Sequence, residues 1–201
     1  MGRREEKREA LREALITAAT GLIEAVGHAH LTARDVTSAA GCALGSLYTA
    51  FADLDDLILH ANARTLTMLR EDLERATAAT EGAASLRALA RAYARFARQR
   101  NHLWSALFIY AMEDLERIPA WYVNGHHALL TLVAGALAEI PLDEPAEALE
   151  ARARSYFAAV HGVVAMSLHS PFVGHPEAVL EAEIDALLDT LIAGLRQPGT
   201  V

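Results

Sequence analysis

Cysteine is almost absent from this 201-residue chain: Cys42 stands alone. One thiol excludes an intramolecular disulfide and fits a reducing compartment. Long apolar runs are missing as well. The nearest, Ala128 to Ile140, is too short to span a bilayer and sits among His127 and Glu139. The N-terminus from Met1 to Glu9 is charged throughout and leads into no apolar signal core. A soluble cytoplasmic protein with no membrane partner is expected. No run alternates apolar and polar residues between turn dipeptides, so strands are not expected. Internal repeats and low-complexity tracts are lacking too. Nine histidines invite a metal or acid–base site, but their spacing does not serve one. His28-Ala29-His30 falls between two helices, adjacent His126 and His127 point to different helix faces, and no His-Glu-x-x-His occurs. With no phosphate-cradling Gly loop either, no catalytic residue, metal or cofactor is expected, and the reading is not an enzyme. Positive charge is scarce: Lys and Arg number 18 against 26 Asp and Glu, for a net charge of −8. That balance argues weakly against nucleic acid, because phosphates feel the local field rather than the total. Locally, Arg3, Arg4, Lys7, Arg8 and Arg12 cluster at the N-terminus, diluted by Glu5, Glu6, Glu9 and Glu13.

What the chain does have is helix formers. Hydrophobic residues make up 53%, much of it Ala and Leu, which lose least on entering a helix. Leu11, Leu15, Ala18, Leu22 and Val26 recur at spacings of three and four and predict one face of a first helix, ended by Gly27. Thr32-Ala33-Arg34-Asp35 reads as a capping box opening a short helix, which Gly41 closes. A second short helix runs through Leu44 to Phe51. Asp53 is placed to cap a long helix, with Asp55 and Asp56 in its first turn favoured by the dipole. Leu54, Leu57, Ile58, Ala61, Leu66, Leu69 and Leu73 carry that helix to about Thr77. Beyond Glu81-Gly82, helices are expected near residues 85–99, 102–115, 118–140, 146–168 and 177–195, with loops at Pro141 to Pro145 and Ser170 to Pro176. The expected fold is all-α, with about nine helices.

The segment from Thr32 to Phe51 combines helix, glycine-containing turn and helix. A helix-turn-helix needs that order to brace one helix and lay the next in the major groove. Val36 and Ala40 are expected to pack inward from the first helix, and Leu47 and Phe51 from the second. Ala43, Leu44, Ser46 and Thr49 are left facing outward, with Tyr48 at the edge. Here the chain resembles the Tet repressor family. Gly27, Thr32, Asp35-Val36, Ala40-Gly41, Gly45-Ser46-Leu47-Tyr48, Phe51 and Leu57 fall at that family's spacing. The resemblance implies an N-terminal three-helix DNA-binding domain over residues 1–53, with its recognition helix at about 44–50. It further implies a connecting helix over 54–80 and an effector-binding and dimerisation domain over 81–201. Carried onto matching positions, it implies that Thr32 and Tyr48 hold phosphates, while Leu44, Gly45, Ser46 and Thr49 face base edges. Ala43 at the start of the recognition helix replaces the family's usual Ser, Ala50 its usual aromatic or His, and Leu54 its usual Lys. Each replacement removes a DNA contact.

Farther along, Phe157-Ala158-Ala159-Val160-His161-Gly162 resembles the branch of that family with an aromatic residue followed by His-Gly in the eighth helix, the WHG type. The branch implies a ligand-binding and dimerisation domain. Trp104, Phe108, Tyr110, Met112, Trp121, Tyr122 and Phe157 are candidates to line an apolar pocket, with His126, His127 or His161 as polar anchors; plain core packing is the competing reading of the same residues. Small residues Ala153, Ala158, Ala159, Gly162 and Ala165 would let one backbone approach another. With the stripe Ala182, Leu187, Leu188, Leu191 and Leu195, they fit the homodimer through the last two helices that the resemblance implies; completion of a monomeric core is the competing reading of the same stripe. The implied partners are a double-stranded DNA operator, a second copy and a small, mostly apolar effector. The function this implies is a bacterial transcriptional regulator, a repressor released from a palindromic operator. The alternative, prompted by the −8 charge, Ala43 and Leu54, is a ligand-binding relative with weakened or lost DNA binding.

Overall fold

Short polar and glycine signals decide where this chain turns. The computed structural model describes residues 2–109, 118–141, 145–170 and 172–195. Helix α1, Arg3–Val26, stops at Gly27, which adopts φ +82° while its N–H donates to the Ile23 carbonyl at 2.9 Å. A 3-10 turn, His28–His30, leads to Thr32, the N-cap of α2, Ala33–Ala39. Thr32 Oγ accepts the Asp35 N–H at 3.2 Å and donates its own proton to Asp35 Oδ2 at 2.6 Å. The capping box is therefore closed through the hydroxyl. At the other end of α2, the Gly41 N–H donates to Ser38 and the Cys42 N–H to Thr37, at 3.1 and 2.9 Å, with Gly41 at φ +68°. These two bonds form a Schellman ending, which requires a left-handed residue at the first position beyond the cap. Half-buried Cys42 packs on the core from the next position. Helix α3, Leu44–Ala50, follows at once.

Helix α4, Leu54–Thr77, starts from a reciprocal pair: the Asp56 N–H donates to Asp53 Oδ1 at 2.8 Å, and Asp56 Oδ2 accepts the Ala52 N–H at 3.0 Å. The chain continues as α5, Gly82–Gln99; α6, Asn101–Ile109; α7, Ala120–Ala138; α8, Ala146–His169; and α9, Glu177–Leu195. Among the described residues there are nine α-helices and no strand, as expected from the periodicity. Asn101 opens α6 from inside the helix, and the expected continuation to residue 115 lies outside the described residues. No helix among the described residues is long and apolar enough to cross a membrane.

Two compact units result, Met1–Met68 with Arg100–Gly125, and Leu69–Gln99 with His126–Val201. In the first, α1 packs on α2, α3 and α6. Leu15, Ala19, Ile23, Val36, Leu47, Phe51, Leu57, Leu103 and Ala106 form its core. The buried face of α1 runs through Leu15, Ala19 and Ile23 and is turned from the expected one: Ala18 and Leu22 are only partly buried, and Val26 is 49% exposed. Steps of four trace a row on a helix, and Val26 lies off the row that Leu15 begins.

In the second unit α5 packs on α8 and α9, and α8 on α9. Arg87 pairs with Asp189, Arg91 with Asp185, and Arg98 with Glu177. Rising numbers on α5 meet falling numbers on α9, so the ladder matches one antiparallel register. Such exposed pairs contribute little stability each, about 0.2–1 kcal/mol. Leu180, Ile184, Leu188 and Ile192 are the residues α9 buries. Of the expected stripe, Leu188 belongs to this row, whereas Leu187, Leu191 and Leu195 remain half-buried and Ala182 is exposed.

Gly41 and Gly45 make a controlled comparison, since a Cβ at either position would meet nothing within 4 Å. Gly41 has positive φ and Gly45 does not. Gly41→Ala should lower unfolding stability by about 1–2 kcal/mol through backbone conformation alone. Gly45→Ala, inside a helix, should raise it by up to about 1 kcal/mol. Urea denaturation of the two variants checks both signs.

Candidate nucleic-acid interface

Packing divides α3 into two sides. Leu47, Ala50 and, just past its end, Phe51 are 0%, 5% and 3% exposed, beside Val36 of α2. Ala40 is half-buried. The opposite side carries Leu44 and Tyr48, 43% and 58% exposed, together with exposed Ala43, Gly45 and Thr49 and half-buried Ser46. The α3 residues expected to meet DNA thus share the outward side of that helix, and of those expected inward Val36, Leu47 and Phe51 are buried while Ala40 is half-buried. Thr49 Oγ donates back to the Gly45 carbonyl at 3.1 Å. What it offers outward is a methyl group and lone pairs, which suit a base amino group or a thymine methyl. Leu44 offers only apolar contact. Ala43 is the N-cap of α3 and makes no side-chain capping bond. Thr32 is exposed, with its hydroxyl proton committed to Asp35.

Charge near this surface is balanced rather than basic. Residues 1–53 hold six Lys and Arg against seven Asp and Glu, so most of the net negative charge of the chain lies elsewhere. Arg3, Arg4, Lys7 and Arg8 are exposed along the first turns of α1, and Arg34 is exposed on α2.

The second unit contains a cavity of about 40 Å³ with an almost wholly apolar wall. Leu73 of α4, Leu86, Leu89 and Tyr93 of α5, Leu129 and Val133 of α7, Tyr156 and Phe157 of α8 and Leu188 of α9 are among its lining. At its edge the Tyr93 hydroxyl and His161 Nδ1 share a hydrogen bond of 2.7 Å. Phe157 stacks on His161 and meets the Tyr93 ring edge-on, at centroid distances of 5.7 and 5.6 Å. Burial holds the His161 pKa below the ordinary histidine value. Of the aromatics expected around a pocket, Phe157 lines this cavity and His161 borders it.

Trp104, Phe108, Trp121 and Tyr122 belong to the first unit. There Trp104 is buried beside Phe108, and Tyr122 is buried with its hydroxyl near Asn62 Nδ2 at 3.4 Å. Trp121 is 42% exposed. His126 is half-buried in α7 and His127 is exposed. Met112 and Tyr110 lie outside the described residues. The cavity residues missed from sequence carried a usable signal: Leu86, Leu89 and Tyr93 follow the three-and-four spacing of one helix face.

Residues 86–191 match a family model described as the Tetracyclin repressor-like C-terminal domain. Among curated proteins nothing matches. Solved structures are similar across nearly the whole chain. A protein of unknown function from Rhodococcus sp. RHA1 has a TM-score of 0.75 at 24% identity, covering 93% of this chain and 96% of that one. A transcriptional regulator from the same source has a TM-score of 0.69 at 19% identity, with coverages of 94% and 99%. A TetR transcriptional regulator, also from Rhodococcus sp. RHA1, has a TM-score of 0.70 at 17% identity, again covering 94% and 99%.

Two outcomes follow from this geometry. Ala43→Ser supplies the missing cap hydroxyl and should stabilise the fold by about 1 kcal/mol in urea denaturation. Burial lowers the pKa of His28, His60 and His161 from the ordinary 6.5. Below that value the unfolded chain binds these protons more readily than the folded one. Stability should therefore be fully present above about pH 7 and fall as the pH drops below 6.5, which urea midpoints at pH 7.5 and 5.5 would reveal.

Proposed function

The chain belongs to the tetracycline repressor-like family, and from that premise we propose that it is a dimeric DNA-binding regulator released from a palindromic operator by a small, mostly apolar effector. One observation carries the DNA-binding half: α3 buries Leu47, Ala50 and Phe51 and turns Leu44, Tyr48 and Thr49 outward. In this reading the outward side enters the major groove, Tyr48 and Thr32 meet phosphates, and Leu44, Ser46 and Thr49 meet base edges. Gly45 lets the helix backbone come close to the bases. Ala43 contributes no phosphate contact, so specificity leans on apolar and van der Waals fit more than on charge.

Dimerisation follows from the two-fold nature of such sites, in which paired recognition helices read half-sites about 34–36 Å apart. The half-buried apolar residues Leu187, Leu191 and Leu195 of α9, with the small residues Ala159, Gly162 and Ala165 of α8, supply the surface. The effector would enter the apolar cavity, with the Tyr93–His161 pair as its polar edge. A cavity of about 40 Å³ has room for water-sized occupants, whereas ligand sites of drug size run to about 300–1,000 Å³. An effector must therefore push the wall apart. Helix α4 places Leu57, Ile58 and Ala61 in the first core and Leu73 in the cavity wall, which makes it the element through which the release would act. The shift is one of populations: the effector favours the conformer whose recognition helices no longer match successive grooves. The segment from Phe157 to Gly162 supports placement in the His-Gly branch.

Selection of bound sequences from a random duplex pool tests the proposal. Enrichment of a palindrome is expected, with affinity falling steeply as salt rises, because each phosphate contact releases counterions. No enrichment at low salt would favour the ligand-binding relative that has lost DNA. On the selected operator, Tyr48→Ala should weaken binding to all sequences alike, and Thr49→Ala should change sequence preference. Gly45→Ala should weaken operator binding while the fold becomes more stable.

A further inference from the structure

The far end of α3 is held by a side chain that the DNA-contacting residues do not include. Arg12, half-buried on α1, donates from one guanidinium nitrogen to the Ala50 carbonyl, and its carbon lies 4.2 Å from the centre of the Phe51 ring. The other terminal nitrogen is 3.1 Å from His60 Nε2. That same His60 nitrogen is 3.7 Å from Asp56 Oδ1, and the imidazole stacks on Trp121 at 4.7 Å with 24° between planes. The two contacts of Nε2 belong to different protonation states. A guanidinium has donors only, so Nε2 takes the Arg12 bond while it carries no proton. Once Nε2 is protonated it faces Arg12 as a second cation, and its N–H has Asp56 Oδ1 within reach. Asp56 already holds the Ala52 N–H in the turn from α3 to α4.

We propose that Arg12 is the positioning residue for the C-terminal end of the recognition helix and that His60 is its latch. Neutral His60 keeps Arg12 on Ala50 and Phe51; protonated His60 exchanges Arg12 for Asp56 and lets that end of α3 go. The idea rests on α3 being the DNA-reading helix. Among the described residues, the charged groups facing His60 are Arg12 and Glu9 from α1 and Asp56 from its own helix, while the end of α3 and α7 present the Phe51 and Trp121 rings. Burial first and Arg12 second hold its pKa below 6.5, with Asp56 and Glu9 pulling the other way. The latch is thus closed at neutral pH and opens on acidification. The N-cap of this seven-residue helix makes no side-chain bond, so Arg12 adds, at the opposite end, a side-chain hold to the packing of Leu47, Ala50 and Phe51 on its back.

Trp121 provides a readout that needs no DNA, because charge placed against an indole face perturbs its emission. Emission is titrated from pH 8 to 5 in the wild-type chain, His60→Gln and Arg12→Gln. Glutamine offers Arg12 an acceptor but does not titrate. A wild-type transition below pH 6.5 is expected, absent in His60→Gln and moved to higher pH in Arg12→Gln. Binding to the selected operator, at constant ionic strength, should weaken about tenfold through the same transition, the order expected of one charge-assisted hydrogen bond. His60→Gln should retain binding at acid pH, and Arg12→Gln should bind about tenfold more weakly already at pH 8. If Arg12→Gln fails to fold by circular dichroism, Arg12→Lys takes its place, since it keeps the charge and loses the two-armed reach. An emission transition that survives in His60→Gln overturns the latch, as does operator affinity that falls equally in wild type and His60→Gln. A chain that selects no duplex at any pH overturns the regulator reading instead, and the emission arm still decides whether His60 latches Arg12.

Discussion

A seven-residue helix has no stability of its own, because nucleating a helix costs more than so few backbone bonds return. Everything about α3 therefore depends on the burial of Leu47, Ala50 and Phe51 against α1, α2 and the start of α4. That burial fixes which side of α3 is left over, and the leftover side is the one proposed to read DNA. The Schellman turn at Gly41 and Cys42 serves the same constraint from the other direction. It delivers the chain into α3 at once, with no slack in which the helix could roll. Position and exposure of the reading surface are thus both consequences of a small apolar contact on its back.

Charge plays the lesser part. The chain is acidic overall, but residues 1–53 are close to balanced, and the exposed cations stand at the start of α1 and on α2. In the proposed DNA interface, sequence preference would lean on shape, while the phosphate contacts would supply the salt-sensitive part of the affinity. The same economy appears in the second unit, where α5 and α9 meet through apolar rows and the exposed ion pairs at their rim match the register more than they stabilise it.

Much of this was legible in the sequence, for identifiable reasons. Helices with caps and closing glycines announced themselves: Thr32, Gly41, Asp53 and Gly27 mark true ends. The inward and outward residues of α3 followed from spacing together with the family resemblance. The buried row of α1 was harder, because its many alanines and leucines make neighbouring rows equally apolar, and only contact with α2, α3 and α6 selects one. The cavity was harder still. Aromatic residues drew the eye toward Trp104, Phe108, Trp121 and Tyr122, yet the wall is built mainly of leucine and valine from several distant segments. A side chain's size favours burial without saying in which unit, and Trp121 stays 42% exposed. Arg12 and His60 were unreadable for a similar reason: forty-eight positions separate them, and no periodicity links residues on different helices.

Neighbouring sides of α9 serve different surfaces. Leu188 belongs to the cavity wall, while Leu187 and Leu191 are half-buried on the side proposed to face a second copy. In a dimer built on that side, the wall of one cavity and the shared seam are a single helix thick. Swelling of one cavity then displaces a surface that the other subunit also rests on. The two sites would fill cooperatively, and the steepness of the response to effector would be set by how rigidly α9 transmits that displacement.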